Sequence, residues 1–145
     1  MKNILVALDR SRLAESVLAA AVAAAKDFGA KIHLLHVIVI QPDVPTTLWG
    51  ASSEEVYEAV TRDARADLDR LVASIPPELR GEVTIQPGIA WRDICAVAKE
   101  RDVDLIVIGS HGHGLIDRML GTTAARVVNH ADRSVLVVRR KEAGS

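Results

Sequence analysis

The stretch Asp104-Leu105-Ile106-Val107-Ile108, followed at once by Gly109-Ser110-His111-Gly112-His113-Gly114, decides the fold. Four consecutive apolar side chains with no polar alternation read as a strand buried on both faces. A glycine-rich loop follows, then a helix predicted over residues 122–131, then a second apolar run, Ser134-Val135-Leu136-Val137-Val138. Strand, loop, helix and strand in that order form the repeating unit of a parallel sheet.

The N-terminal half has the same alternation. Asn3-Ile4-Leu5-Val6-Ala7-Leu8 reads as the first strand. Leu13, Ala14, Val17, Leu18, Ala21, Val22, Ala25 and Phe28 then recur at spacings of three and four, the stripe of a helix. Ser11 is its expected N-cap and Gly29 its stop. Ile32-His33-Leu34-Leu35-His36-Val37-Ile38 is the second strand, followed by a looser stretch over 39–51 that contains Trp49. Ser52 and Glu55 make a capping-box pattern. The helix behind them carries Val56, Val60, Ala64, Leu68, Leu71 and Ile75, and Pro76-Pro77 is expected to end it. Residues 82–86 read as a third strand and 91–101 as a third helix. The prediction is α/β: an open five-stranded parallel sheet with helices on both faces, of Rossmann-like type. One domain is expected over 1–140, with 141–145 as a flexible tail.

Composition narrows the function. The 145 residues are 49% hydrophobic and 26% charged, a globular balance. Eighteen basic against nineteen acidic side chains leave a net charge of −1, which gives no general affinity for polyanions. Aromatics are 3%, too few for a platform that stacks nucleic-acid bases. The single cysteine, Cys95, excludes an intrachain disulfide and a multi-cysteine zinc site. On its helix it reads as inert packing. The longest apolar run, nine residues over 17–25, is far short of the roughly 18 that a membrane span needs. Asp9 interrupts the first apolar run, so no signal-peptide core is expected. The expectation is a cytoplasmic protein with neither a nucleic-acid nor a membrane partner.

In open parallel sheets ligands bind beyond the carboxyl ends of the strands, where the strand order reverses. That rule selects Asp9, Val37-Ile38, Gly88 and Gly109. Four glycines fall in the thirteen residues from Gly109 to Gly121. Glycine lets backbone N–H groups approach a ligand closely, and successive N–H groups form an anion nest. Gly121-Thr122-Thr123 opens the last helix, whose N-terminus also favours an anion. Thr122 or Thr123 would donate a hydroxyl to a phosphate or simply cap the helix. Glycine count alone fits an ordinary surface loop equally well. No Gly-Lys-Thr or Gly-Lys-Ser occurs, and the first strand ends without a glycine fingerprint. Arg118 is the nearest cation in sequence. Asp9 would accept a hydrogen bond from a base or ribose, or help cap the next helix. His111 and His113 lack the company that a zinc site needs. His33 and His36, three apart on a strand, point to opposite faces.

Ile4-Leu5-Val6-Ala7-Leu8-Asp9-x-Ser11, Leu34-Leu35-His36-Val37, the run from Asp104 to Gly112, and Ser134-Val135-Leu136-Val137-Val138 resemble the universal stress protein family. The resemblance spans essentially the whole chain. It implies a five-stranded α/β fold, usually dimeric. Its nucleotide-binding branch carries G-x-x-G, a nine-residue spacer, then G-S or G-T. Gly109-x-x-Gly112 and Gly121-Thr122 match that pattern, with an eight-residue spacer, 113–120. Arg10 stands where the family usually has glycine, which places a charge near the site mouth.

By motif, the resemblance implies that Ala7, Leu8 and Asp9 flank a nucleoside and that Val37 meets adenine through its backbone. Ile108 and Gly109 would line the ribose. Gly112, Gly121, Thr122 and Thr123 would surround the phosphates, and Ser110 and His113 are counted among the nucleotide-binding residues. ATP or AMP is the implied ligand, with Mg²⁺ or Mn²⁺ alongside ATP. A homodimer through Ser134–Val138 is expected from the apolar edge strand. The implied role is regulatory, with no catalytic residue assigned. The rival readings are a slow ATPase or self-phosphorylating protein, with Ser110, His111 and His113 as suspects, and a non-binding interaction module.

Overall fold

A computed structural model describes residues 1–39, 53–110 and 120–139. The elements run β1 (Asn3–Ala7), α1 (Ala14–Phe28), β2 (Lys31–Ile38), α2 (Ser53–Val72), β3 (Arg80–Pro87), α3 (Ala90–Glu100), β4 (Leu105–Gly109), α4 (Thr122–His130) and β5 (Ser134–Val138). All five strands are parallel, in the order β3-β2-β1-β4-β5.

Alternation along the central strands builds two cores. Ile4, Val6 and Leu34 face α1 and α2, together with Val17, Leu18, Ala21 and Leu68. Leu5, Leu35 and Ile106 face α3 and α4, against Ile94, Val97, Ala124 and Val127. Because both faces are covered, β1 and β4 must be apolar throughout, which is why they read as unbroken runs. The chain winds outward from β1 to β3, then crosses back to place β4 on the other side of β1. The crevice of this topology therefore opens where β1 and β4 end.

Several boundaries differ from the sequence reading for local reasons. Gly29 ends α1 as expected, in the left-handed conformation at φ 66°. Ser11 does not cap that helix. The N-cap position is Leu13, without a side-chain bond. Ser11 instead builds the turn before it, its hydroxyl accepting the Leu13 N–H at 3.2 Å. α2 ends at Val72, short of Pro76-Pro77. The chain tightens there: Ile75 N–H donates to the Val72 carbonyl at 2.9 Å, and the Ser74 hydroxyl donates to Leu71 at 2.6 Å. Ile75 then plugs the core from outside the helix. β3 is longer at both ends than 82–86, because it pairs with β2 out to Ile38–Pro87. Ser52, the Trp49 stretch, His111, Gly112, His113, Arg118 and the tail lie outside the described residues.

His33 and His36 do lie on opposite faces. His33 is fixed by two bonds: Glu82 N–H donates to Nδ1 at 3.0 Å, and Nε2 meets Asn3 Oδ1 at 2.9 Å. An accepting Nδ1 is bare, so Nε2 carries the proton and the ring is neutral. Burial lowers its pKa from 6.5, and the Arg101 cation lowers it further against the opposing pull of Glu82. The unfolded chain therefore takes up this proton first as pH falls. Stability from His33 is present above pH 6.5 and is lost as pH drops below it towards the folded-state pKa. In urea melts between pH 7.5 and 5, roughly spanning that window, a His33→Gln variant is expected to lose less stability than the parent. Parallel pH curves for the two proteins would contradict this.

Candidate functional site

β1 ends at Ala7, and the chain turns sharply at Asp9. Asp9 Oδ1 accepts the Ser11 N–H at 2.9 Å, the local turn expected of an aspartate at a strand–helix junction. Its other carboxylate oxygen has no partner among the described residues. Beside it β4 ends at Gly109, where a Cβ would stand 3.1 Å from Val17 Cγ2. The glycine lets α1 pack directly against the strand end.

These ends open into a cleft of about 380 Å³ lined by Ala7, Leu8, Asp9, Val37, Ile108, Gly109, Thr122 and Thr123. Eight of the residues singled out in the sequence therefore meet in one cavity. Leu13, Ala14 and Val17 of α1, Leu35 and Val39 of β2 and its exit, Ala90 and Ile94 of α3, and Ala124 complete the wall. Sequence reasoning missed these. The helical spacing of Leu13, Ala14 and Val17 marks them as core, and only the close approach at Gly109 shows that the α1 stripe ends in the cleft.

Ser110 and Gly121 do not line this cleft. Ser110 N–H donates to the Val138 carbonyl at 2.9 Å, and its own carbonyl accepts the Gly121 N–H at 3.2 Å. This pair clips the end of β4 to the start of α4. It also occupies the Gly121 amide. Gly121 is the N-cap residue and makes no side-chain cap bond. Neither threonine is the cap: Thr122 and Thr123 are the first helical residues. With no cap, the N–H groups of Thr122, Thr123 and Ala124 have no intrahelical acceptor and sit at the positive end of α4.

On the β2 side the ladder with β1 stops at Ala7–Leu35. Leu8 N–H donates to the Leu35 carbonyl at 2.9 Å, and Gly88 N–H donates to the Ile38 carbonyl at 3.0 Å. Backbone groups of successive strand residues point to alternate sides. Leu35 and Val37 therefore face the β1 side, while His36 and Ile38 face β3. The Val37 N–H and C=O reach past the end of β1, into the cleft.

Charge at the site is sparse. Among the described lining residues Asp9 alone is ionisable. Arg10 is held elsewhere: its Nε donates to Asp67 Oδ2 on α2 at 2.8 Å, and Arg70 bonds the other oxygen at 2.9 Å. Arg10 thus lines a smaller neighbouring niche of about 130 Å³, with His36 and Asp67, rather than the cleft. No group of three or more His, Cys, Asp or Glu residues among the described ones can hold a metal ion. Cys95 packs against the second core, and burial, aided by Asp132, raises its thiol pKa. That keeps it protonated and poorly nucleophilic. No described helix is long and apolar enough to cross a membrane.

A family model described as "Universal stress protein family" matches residues 1–139. A universal stress protein A homologue of Coxiella burnetii is 29% identical over 97% of this chain and 98% of its own length. The solved universal stress protein UspA from Lactobacillus plantarum is 30% identical, with a TM-score of 0.74, covering 95% of this chain and 97% of its own. A protein from Archaeoglobus fulgidus, solved in complex with dAMP, is 24% identical with a TM-score of 0.68, covering 96% and 98%.

Proposed function

We propose, on the premise that the chain belongs to the universal stress protein family, that it is an adenine-nucleotide-binding regulatory module. The observation that carries this reading is the convergence, in one cleft, of Asp9, the outward-facing backbone of Val37 and the uncapped start of α4. The dAMP complex of the Archaeoglobus fulgidus protein concerns a chain that shares the fold. This chain's own residues support the finer reading.

The parts suit a nucleotide in order. An N–H beside a C=O on Val37 complements adenine, whose N1 accepts and whose N6 donates. Guanine presents a donor at N1 and an acceptor at O6, so the same pair repels it. The free oxygen of Asp9 would accept from a ribose hydroxyl. Gly109 would line the sugar through its backbone, with Val17 packed against its Cα. The N–H groups of Thr122, Thr123 and Ala124 would take the phosphates. Ser110 would act indirectly, by holding Gly121 and thus the helix start. Gly112 remains assigned to the phosphates by family pattern, and His113 to the nucleotide without a closer role. Mg²⁺ or Mn²⁺ fits only as a companion of ATP. The one carboxylate of the described lining makes no metal cage, so the ion would be held mainly by phosphate oxygens and water.

An Asp9→Ala variant should bind ATP about ten- to a hundredfold more weakly, the loss of about 1–3 kcal/mol for a buried donor left without its acceptor. Asp9→Asn, which keeps an acceptor for the Ser11 N–H, separates the turn from the ligand. It should fold like the parent and still bind less well. Equal ATP affinity in all three proteins, by calorimetry, would remove the carboxylate from the site.

The described lining of the cleft offers no positioned nucleophile and no second carboxylate, so ATP hydrolysis is expected below about 1 s⁻¹. We also propose a homodimer. β5 lies at the sheet edge, and Leu136 on it is 39% exposed. An apolar edge of this kind is closed by pairing with a second copy. Sedimentation at micromolar concentration should show the dimer, and a monomer alone would contradict it.

A further inference from the structure

We infer that His36 is a positioning residue that holds the adenine-reading backbone of Val37 open. The inference rests on the nucleotide reading above and adds a residue that touches no part of the ligand. Along a parallel pair, the rung after Leu8 N–H to Leu35 C=O would run from Val37 N–H to the Leu8 carbonyl. That rung is not formed, and the carbonyl's partner is a side chain instead. The carbonyl accepts a hydrogen bond from His36 Nδ1 at 2.8 Å. A carbonyl only accepts, so Nδ1 carries the proton, whatever the state of Nε2.

The arrangement follows from position. His36 precedes Val37 by one residue, so its side chain leaves β2 on the face of α1 and α2, while the base would approach along the strand's edge. The ring reaches across to Leu8, the residue that follows β1 and is itself only 4% exposed. A buried carbonyl needs a donor. With histidine at this position the side chain supplies one, and β1 separates from β2 after Ala7. With an aliphatic residue the nearest donor is the Val37 N–H itself, and β1 and β2 would pair for one more rung. The base-reading pair would then be lost into the sheet. His36 lines the niche it shares with Asp9, Arg10 and Asp67, and does not line the cleft that would hold the base.

His36→Val and His36→Asn test this, since the asparagine amide can place an N–H near the position of Nδ1. Three readouts are compared: ATP affinity, the ratio of ATP to GTP affinity, and hydrogen exchange of the Val37 amide without ligand. In the parent and His36→Asn, Val37 should exchange much faster than Leu35, and ATP should be preferred. In His36→Val the Val37 amide should become protected, ATP affinity should fall about tenfold or more, and the preference over GTP should narrow. A parent Val37 amide as protected as Leu35 overturns the inference, even if His36→Val fails to fold. So does a folded His36→Val variant with unchanged exchange and unchanged ATP-to-GTP ratio. If the parent binds neither nucleotide, the functional reading fails, while the exchange comparison still decides whether His36 keeps the strands apart.

Discussion

A Thr122→Asp variant is expected to remain folded, to melt no lower than the parent, and to lose about a hundredfold in ATP affinity. The two effects have opposite signs for one reason. Thr122 is the first residue of α4, behind an N-cap glycine that makes no side-chain bond. A carboxylate in the first turn of a helix is favourable, by about 0.3–1 kcal/mol when exposed. The same charge stands where a phosphate would sit. One unit-charge pair about 5 Å apart, at an effective dielectric of about 20, repels by about 3 kcal/mol. Adenosine, which has no phosphate, should bind the variant nearly as well as the parent. If ATP and adenosine weaken equally, the threonine end of the cleft is not the phosphate end.

The largest stability loss is expected at the centre of the sheet. Leu5 is 0% exposed, lies on β1 between β2 and β4, and packs into the core beneath α3 and α4. Leu5→Ala should cost about 2–5 kcal/mol, the transfer term plus the cavity that flanking strands cannot collapse to fill. For a domain of ordinary stability, about 5–15 kcal/mol in total, this is a large share. Phe28, 53% exposed at the end of α1, is the control. Its replacement by alanine should fall within about 0.5 kcal/mol of the parent. Urea denaturation measures both. A Leu5→Ala midpoint close to that of Phe28→Ala would mean that the core is not organised around β1.

How much was legible in the sequence depends on whether the cause was local. The sequence delimits β5 as Ser134–Val138, and the structure has the same bounds, because an apolar run between turns leaves little latitude. Gly29 was legible as a stop because only its backbone matters there. The end of α2 was not. Pro76 drew the boundary too late, since the helix tightens earlier around Ser74, a bond among neighbours rather than a breaker residue. Asp9, Val37 and Gly109 were reachable from topology alone, since the reversal of strand order must leave a crevice. Register was not reachable. The clip between Ser110 and Gly121 and the reach of His36 to Leu8 depend on which residues stand opposite each other across the sheet. Arg10 shows the same limit. Its charge was expected at the site mouth, but Asp67, 57 residues away in sequence, draws it onto α2.

The central claim is that this cleft reads adenine through its backbone and phosphate through a helix start. Calorimetric titration of the unmodified protein with ATP, AMP and GTP tests it most directly. Saturable binding of ATP or AMP at one site per chain, about tenfold or more tighter than GTP, is the predicted result. No heat with either adenine nucleotide, or GTP bound as tightly as ATP, would contradict it.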